Sequence, residues 1–135
     1  MTPELFYLTL TALLAGSLWI PFIVGVSSEP EDYTDFTRPP DQRRMRDWVQ
    51  RAFRAHQNML ETLLPFAIVV LIAHLAGIST WVTSTAAAAF FWIRILHAAG
   101  MISGLATFPI RPILFTASYA CTVAIALALL FAPAA

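Results

Sequence analysis

Two arginines, an amide and a carboxylate occur at a spacing that places them on one face of a helix. They are Arg51, Arg54, Asn58 and Glu61. Because successive helical residues turn by about 100°, these four side chains fall within about 80° of one another. Guanidinium groups bind carboxylates through paired hydrogen bonds, so this face suits an anionic ligand.

A second polar group lies further along the chain, where Arg94 and His97 share a helical face and Arg111 follows. The residues alone leave two interpretations open. In the first, Glu61 pairs with Arg54 or Arg94 and neutralises a buried charge. In the second, the excess of arginine forms a pocket for an anion.

The elements that must position these groups are membrane helices, as the composition indicates. Of the 135 residues 59% are hydrophobic and only 12% are charged, with a mean hydropathy of +0.71. All eight basic residues are arginines, and six of them lie between positions 38 and 54. Since that cluster alternates with aspartates and adjoins apolar segments, it indicates membrane topology and not a nucleic-acid surface.

Four membrane-spanning helices are predicted, at about 5–27, 47–76, 80–103 and 110–132. The charge-free run that starts at Leu5 is long enough to span a bilayer and too long for a typical signal peptide. The run 62–93, about 32 residues without a charge, exceeds one span and must turn, for which Gly77 to Thr80 are suited. The fold class is therefore an all-α integral membrane protein, a four-transmembrane-helix bundle in one domain.

Arginine content predicts the orientation of this bundle. The positive-inside rule places the loop 28–46 in the cytoplasm, with the N- and C-termini on the outer side. Alanines and glycines in the third and fourth spans fit close packing either within one subunit or between subunits. The three histidines lie on separate faces or helices, so no metal site is predicted. A small transporter or channel is disfavoured because the polar cluster is confined to the inner half.

A motif in the second span resembles a known family. Residues Arg54-Ala55-His56-Gln57-Asn58-Met59-Leu60-Glu61, followed by Pro65-Phe66, are similar to the Arg-Ala-His-x-Asn-x-x-Glu-Asn-x-x-Pro-Phe signature of the membrane-associated proteins in eicosanoid and glutathione metabolism, the MAPEG family. Arg94-Ile95-Leu96-His97 resembles the Arg-Ile-Tyr-His pattern of its microsomal glutathione transferases, and Arg111 is a third match. The resemblance covers nearly the whole chain.

This resemblance implies a homotrimer that binds glutathione between subunits near the cytoplasmic side. It implies glutathione contacts for Arg54, His56, Asn58, Glu61 and Arg94, to which the shared helical faces add Arg51 and His97. Arg111 matches the family's catalytic arginine, which stabilises the glutathione thiolate. A fixed cation lowers the pKa of a thiol and so favours the nucleophilic form.

The resemblance also implies the activity, a glutathione-dependent transferase or peroxidase acting on lipophilic electrophiles. We expect it in the bacterial inner (cell) membrane, with lipids, a lipophilic small molecule and copies of itself as partners and no nucleic acid. The family's transferases often carry a basic residue just before the motif arginine, where this chain has Phe53. Met101 aligns with a tyrosine that is common in the third helix of the family. These departures support the alternative of a non-catalytic, lipid- or anion-binding member. His56 projects away from the polar face.

Overall fold

The computed structural model describes residues 1–28 and 41–132. The prediction of a cytoplasmic loop over 28–46 therefore falls mostly outside the described residues, as does Arg38. The described residues resume at Asp41, which is followed by a short 3₁₀ helix, Gln42–Arg44.

Five α-helices make up the described structure. Their bounds are α1 Pro3–Ser17, α2 Trp19–Ser27, α3 Asp47–Leu75, α4 Trp81–Ser103 and α5 Ile110–Leu130. With α1 and α2 taken together, four helical segments are long and apolar enough to cross a membrane, and the described residues contain no strand. The predicted all-α bundle of four spans is confirmed.

The first span is divided at Leu18, whereas the sequence was expected to form one uninterrupted helix. Pro21 has no amide hydrogen to donate to the carbonyl of Ser17, four residues earlier. The backbone amide of Leu18 still bonds to Leu14 and Ala15, which closes α1. The missing hydrogen bond and the clash of the proline ring with the carbonyl of Ser17 favour a break near Leu18.

Proline has a smaller effect in α3. Pro65 lies in the interior of this helix of 29 residues, and the helix continues through it. The carbonyl of Glu61 lacks its usual donor four residues later, because proline carries none. The polar and apolar halves of α3 meet at this point.

The turn between α3 and α4 is stabilised by its own residues. Gly77 adopts a left-handed conformation with φ of 68°, which glycine tolerates without a steric penalty. Thr80 is the N-cap of α4, and its hydroxyl accepts a hydrogen bond from the amide of Thr83. The Thr83 hydroxyl accepts one from the amide of Thr80 over 2.8 Å, which completes a capping box.

At this end of the bundle α1 is linked to α4 through Glu4, whose carboxylate is buried. Ser84 donates to it over 2.9 Å, Ser79 donates over 3.1 Å, and Thr83 donates as well. The carboxylate also lies beside the N-terminus of α4, where the helix dipole favours negative charge. Hydroxyl groups and a helix end thus compensate for the burial of this charge.

The core lies between α1, α3, α4 and α5. Phe66 of α3 stacks on Phe90 of α4, with ring centroids 3.8 Å apart. Val70 and Ile125 pack in the same cluster. The buried face of α4 continues along the helix from Thr83 through Phe90 to Arg94, so the side of α4 that packs in the core also carries the charged residue.

Candidate functional site

Arg94 lies at the centre of the polar region and is fully buried. Its Nη2 donates to Oδ1 of Asn58 over 2.9 Å, and its Nε lies 3.4 Å from the sulfur of Met59. Its Nη1 has no hydrogen-bond partner among the described residues. Since an unpaired buried donor is costly, a ligand group that reached this nitrogen would stabilise it.

His97 lies one turn further along α4 and is 1% exposed. Neither of its ring nitrogens has a hydrogen-bond partner in the described structure. A neutral imidazole offers one donor and one acceptor. His97 and Arg94 together therefore present three unpaired polar atoms on one face of α4.

His97, together with Asn58 that bonds to Arg94, lines a cavity of about 600 Å³. Its lining includes the polar residues Asn58, His97 and Arg111 and the aromatic residues Phe108 and Phe115. The remaining lining residues are Ala106, Thr107, Pro112 and Thr116. A cavity lined by both polar and aromatic side chains can hold a polar reactant next to a lipophilic one.

A second cavity, of about 360 Å³, lies on the other side of Arg111. Its lining is mostly polar and charged, and comprises Asp47, Gln50, Arg51, Arg54, Met101 and Arg111. Three arginines against one aspartate give it an excess of positive charge. This cavity suits an anionic group.

Arg111 is the residue that the two cavities share. It lies in the first turn of α5, and its amide donates to the carbonyl of Thr107 over 2.9 Å. Its side chain is exposed and makes neither an ion pair nor a hydrogen bond within the described residues. Its guanidinium is thus free to interact with groups in either cavity.

Glu61 does not form the ion pair that the first interpretation of the sequence required. Its carboxylate is exposed and pairs with neither Arg54 nor Arg94 in the described structure. The guanidinium of Arg94 donates instead to Asn58, one turn closer to the start of α3. Glu61 instead lines a cavity of about 130 Å³ together with Pro65, Phe115 and Tyr119.

The other predicted residues of α3 lie apart from Arg94. Arg54 is exposed on the wall of the smaller arginine-lined cavity. Arg51 lines the same cavity and donates from Nε to the carbonyl of Ile102 over 3.3 Å. His56 is half-buried and lines neither of the two cavities that contain Arg111.

Some residues of the site were not predicted from the sequence. Phe108 and Phe115 are the aromatic residues that line the larger cavity. Phe115 lies four residues after Arg111, a spacing that places both on one side of α5 and could have indicated it. Met59 faces Arg94 from within the recognised motif, between Asn58 and Glu61.

The structure shows where the two departures from the family pattern lie. Phe53 packs against Phe22 of α2, with ring centroids 5.0 Å apart, and is therefore an apolar contact between helices. Met101 is 6% exposed and lines the arginine-lined cavity with a thioether, which is only a weak acceptor.

Comparison with individually characterised proteins finds no match. Comparison with protein families matches residues 6–131 to the MAPEG family. The matched range contains most of the first span, the whole of the other three, and every candidate residue from Arg51 to Arg111. The chain is an integral membrane protein that belongs to the MAPEG family.

Proposed function

We propose that this protein is a membrane-bound, glutathione-dependent transferase or peroxidase that acts on lipophilic electrophiles. The observation that carries the proposal is the position of Arg111, which lines both cavities and has no partner within the described residues. One cavity is rich in arginine, and the other is lined in part by aromatic residues. A cation at the boundary of the two cavities would stabilise a thiolate close to an apolar reactant.

Glutathione carries two carboxylates and an amine, and the unpaired groups of the site complement them. Arg54 and Arg111 offer guanidinium groups to the carboxylates and the thiolate, and Glu61 offers a carboxylate to the amine. The three unpaired buried atoms of Arg94 and His97 would bond to the peptide groups. Asn58 keeps Arg94 in place, and His56 is the remaining candidate contact.

In the proposed transferase reaction, the thiol loses its proton to water and Arg111 stabilises the resulting thiolate. The sulfur attacks an electrophilic carbon, a carbon–sulfur bond forms, and the leaving group departs with its electron pair. Phe108, Pro112 and Phe115 supply the apolar surface for the electrophile.

We further propose a homotrimer with its sites toward the cytoplasm of a bacterial cell. Arg54 and Glu61 support an assembly, since each is exposed and lacks an ion pair within the described part of the chain. Charged groups in a membrane helix are costly unless a partner or ligand compensates for them. A neighbouring subunit with glutathione between the two would do so.

The test is turnover by the purified full-length protein in lipid nanodiscs. We expect glutathione to bind and to be conjugated to a nitro-activated aryl chloride. Arg111→Ala should lower turnover by about 100-fold or more, as loss of a group that stabilises a developing charge does. The control is Arg43→Ala, which removes an exposed arginine outside the site. Absence of glutathione binding would refute the proposal.

The alternative is a non-catalytic protein that binds lipids or anions on the same fold. The observation in its favour is Met101, whose thioether occupies a wall where a tyrosine hydroxyl is frequent in the family. This alternative predicts that an anionic amphiphile binds without formation of a glutathione thiolate. Ultraviolet difference spectra with glutathione separate the two, since only the transferase gives a thiolate band that disappears in Arg111→Ala.

A further inference from the structure

The end of α4 depends on a side chain from another helix. The last carbonyl groups of a helix lack partners within it. Here the carbonyl of Gly100 accepts from the amide of Ala106 over 2.9 Å, and that of Met101 accepts from Gly104 over 3.2 Å. The carbonyl of Ile102 accepts instead from Nε of Arg51 on α3, over 3.3 Å.

The same guanidinium packs against the residue at which the chain leaves α4. Gly104 has φ of 82° and is left-handed. A Cβ atom added to it would lie 3.3 Å from Cζ and 3.4 Å from Nη2 of Arg51. The arginine thus covers Gly104 closely, and a positive charge lies where the dipole of α4 is negative.

The turn that starts at Gly104 leads directly to the proposed catalytic residue. Ala106 and Phe108 of this turn line the larger cavity, and the carbonyl of Thr107 accepts from the amide of Arg111. A shift at Gly104 would therefore move both the wall of the cavity and the first turn of α5.

We infer that Arg51 is a positioning residue, which holds the turn between α4 and α5 and through it the guanidinium of Arg111. This differs from the ligand contact that the polar face of α3 suggested. The effect on catalysis rests on the proposed function, whereas the effect on the turn does not.

The first measurement needs no ligand. Amide hydrogen exchange is compared for residues 104–111 in the wild-type protein, Arg51→Gln and Arg51→Lys. We expect exchange in this turn to rise by about tenfold or more in Arg51→Gln, because an unsupported turn opens more often. Arg51→Lys keeps the charge and one donor, and should restore part of the protection.

Glycine variants distinguish an effect on the turn from the loss of a polar contact with a ligand. Gly104→Ala removes no polar group, but it crowds the arginine and strains a left-handed residue, and should raise exchange as Arg51→Gln does. Gly77→Ala is the matched control, since Gly77 also has positive φ, of 68°, but has nothing within 4 Å of an added Cβ. Arg43→Gln controls for the loss of an exposed arginine. Both controls should leave residues 104–111 at the wild-type rate.

The second measurement is steady-state turnover with glutathione. We expect turnover to fall by about tenfold or more in Arg51→Gln and in Gly104→Ala, since small misplacements of catalytic groups are costly, while the Kd for glutathione changes less than about threefold. The double variant should lose little more than either single variant, because both act on one turn.

Unchanged exchange in folded Arg51→Gln overturns the inference, as does a loss of glutathione binding equal to the loss of turnover. Multiplicative losses in the double variant also overturn it. A wild-type protein without activity would refute the proposed function alone, because hydrogen exchange would still show whether Arg51 holds the turn.

Discussion

Arg94 of α4 and Asn58 of α3 are joined by a hydrogen bond of 2.9 Å, which links a fully buried guanidinium to a residue that lines the larger cavity. An amide in this position fixes the cation without neutralising it. A carboxylate partner would have cancelled the charge that an anionic ligand requires. Because Glu61 forms no ion pair within the described residues, the site keeps its positive charge.

Replacement of Asn58 by alanine should destabilise the protein and weaken ligand binding. It would leave Nη2 of Arg94 buried without its acceptor, which we expect to cost about 1–2 kcal/mol. Chemical unfolding in detergent measures the change. Gln57→Ala, at the exposed neighbouring position, is the control and should unfold as the wild type does. Equal stability of Asn58→Ala and the control would show that the bond contributes nothing.

His97→Phe should separate function from stability. The ring nitrogens of His97 have no partners to lose in the described structure, and exchange of an unpaired polar group for an apolar one of similar shape is close to neutral or stabilising. We expect the midpoint of thermal unfolding to stay the same or rise, while affinity for glutathione falls by about tenfold or more. Leu96→Phe, on the exposed side of α4, is the matched control. A marked loss of stability would mean that His97 has a structural role.

The sequence predicted the spans well because their signals are local. Charge-free length defines a membrane helix, and Gly77 and Thr80 define the turn between α3 and α4 through their own backbone preferences. The break at Leu18 also had a local signal, Pro21, which a prediction from hydrophobicity alone overlooks. Elements of this kind can be predicted without knowledge of the tertiary structure.

Contacts between distant segments could not be predicted in the same way. Glu4 finds its hydroxyl partners at Ser79, Thr83 and Ser84, which no local pattern connects to it. The acceptor for Arg51 is a backbone carbonyl, and any residue carries one. The sequence therefore indicated which residues were chemically unusual, but only the packing of the helices determines which of them meet.

Glu4 offers a test of such a distant contact. Glu4→Ala should lower the free energy of unfolding by about 2–3 kcal/mol, since three hydroxyl groups lose their acceptor and the N-terminus of α4 loses a compensating charge. Glu4→Gln keeps the shape and should cost about half as much. Thr9→Val is the control, because the Thr9 hydroxyl bonds only to the carbonyl of Leu5 in its own helix. Chemical unfolding of the wild type and the three variants measures these differences. Equal free energies of unfolding for all four proteins would show that Glu4 does not stabilise the fold.

Gly100 tests how closely the turn after α4 must approach the helix. A Cβ atom on Gly100 would lie 2.8 Å from Cβ of Ala106, closer than two carbon atoms can pack. Alanine is the better helix former by about 1 kcal/mol, but the clash displaces a residue that lines the larger cavity. We therefore expect Gly100→Ala to lower affinity for glutathione and to raise hydrogen exchange at Ala106.

The added Ala106→Gly change should restore both, because it removes the second of the two clashing atoms. Gly16→Ala, with nothing within 4 Å, should leave both unchanged. If Gly100→Ala binds glutathione as the wild type does, the turn adjusts and its close packing is not needed for the site.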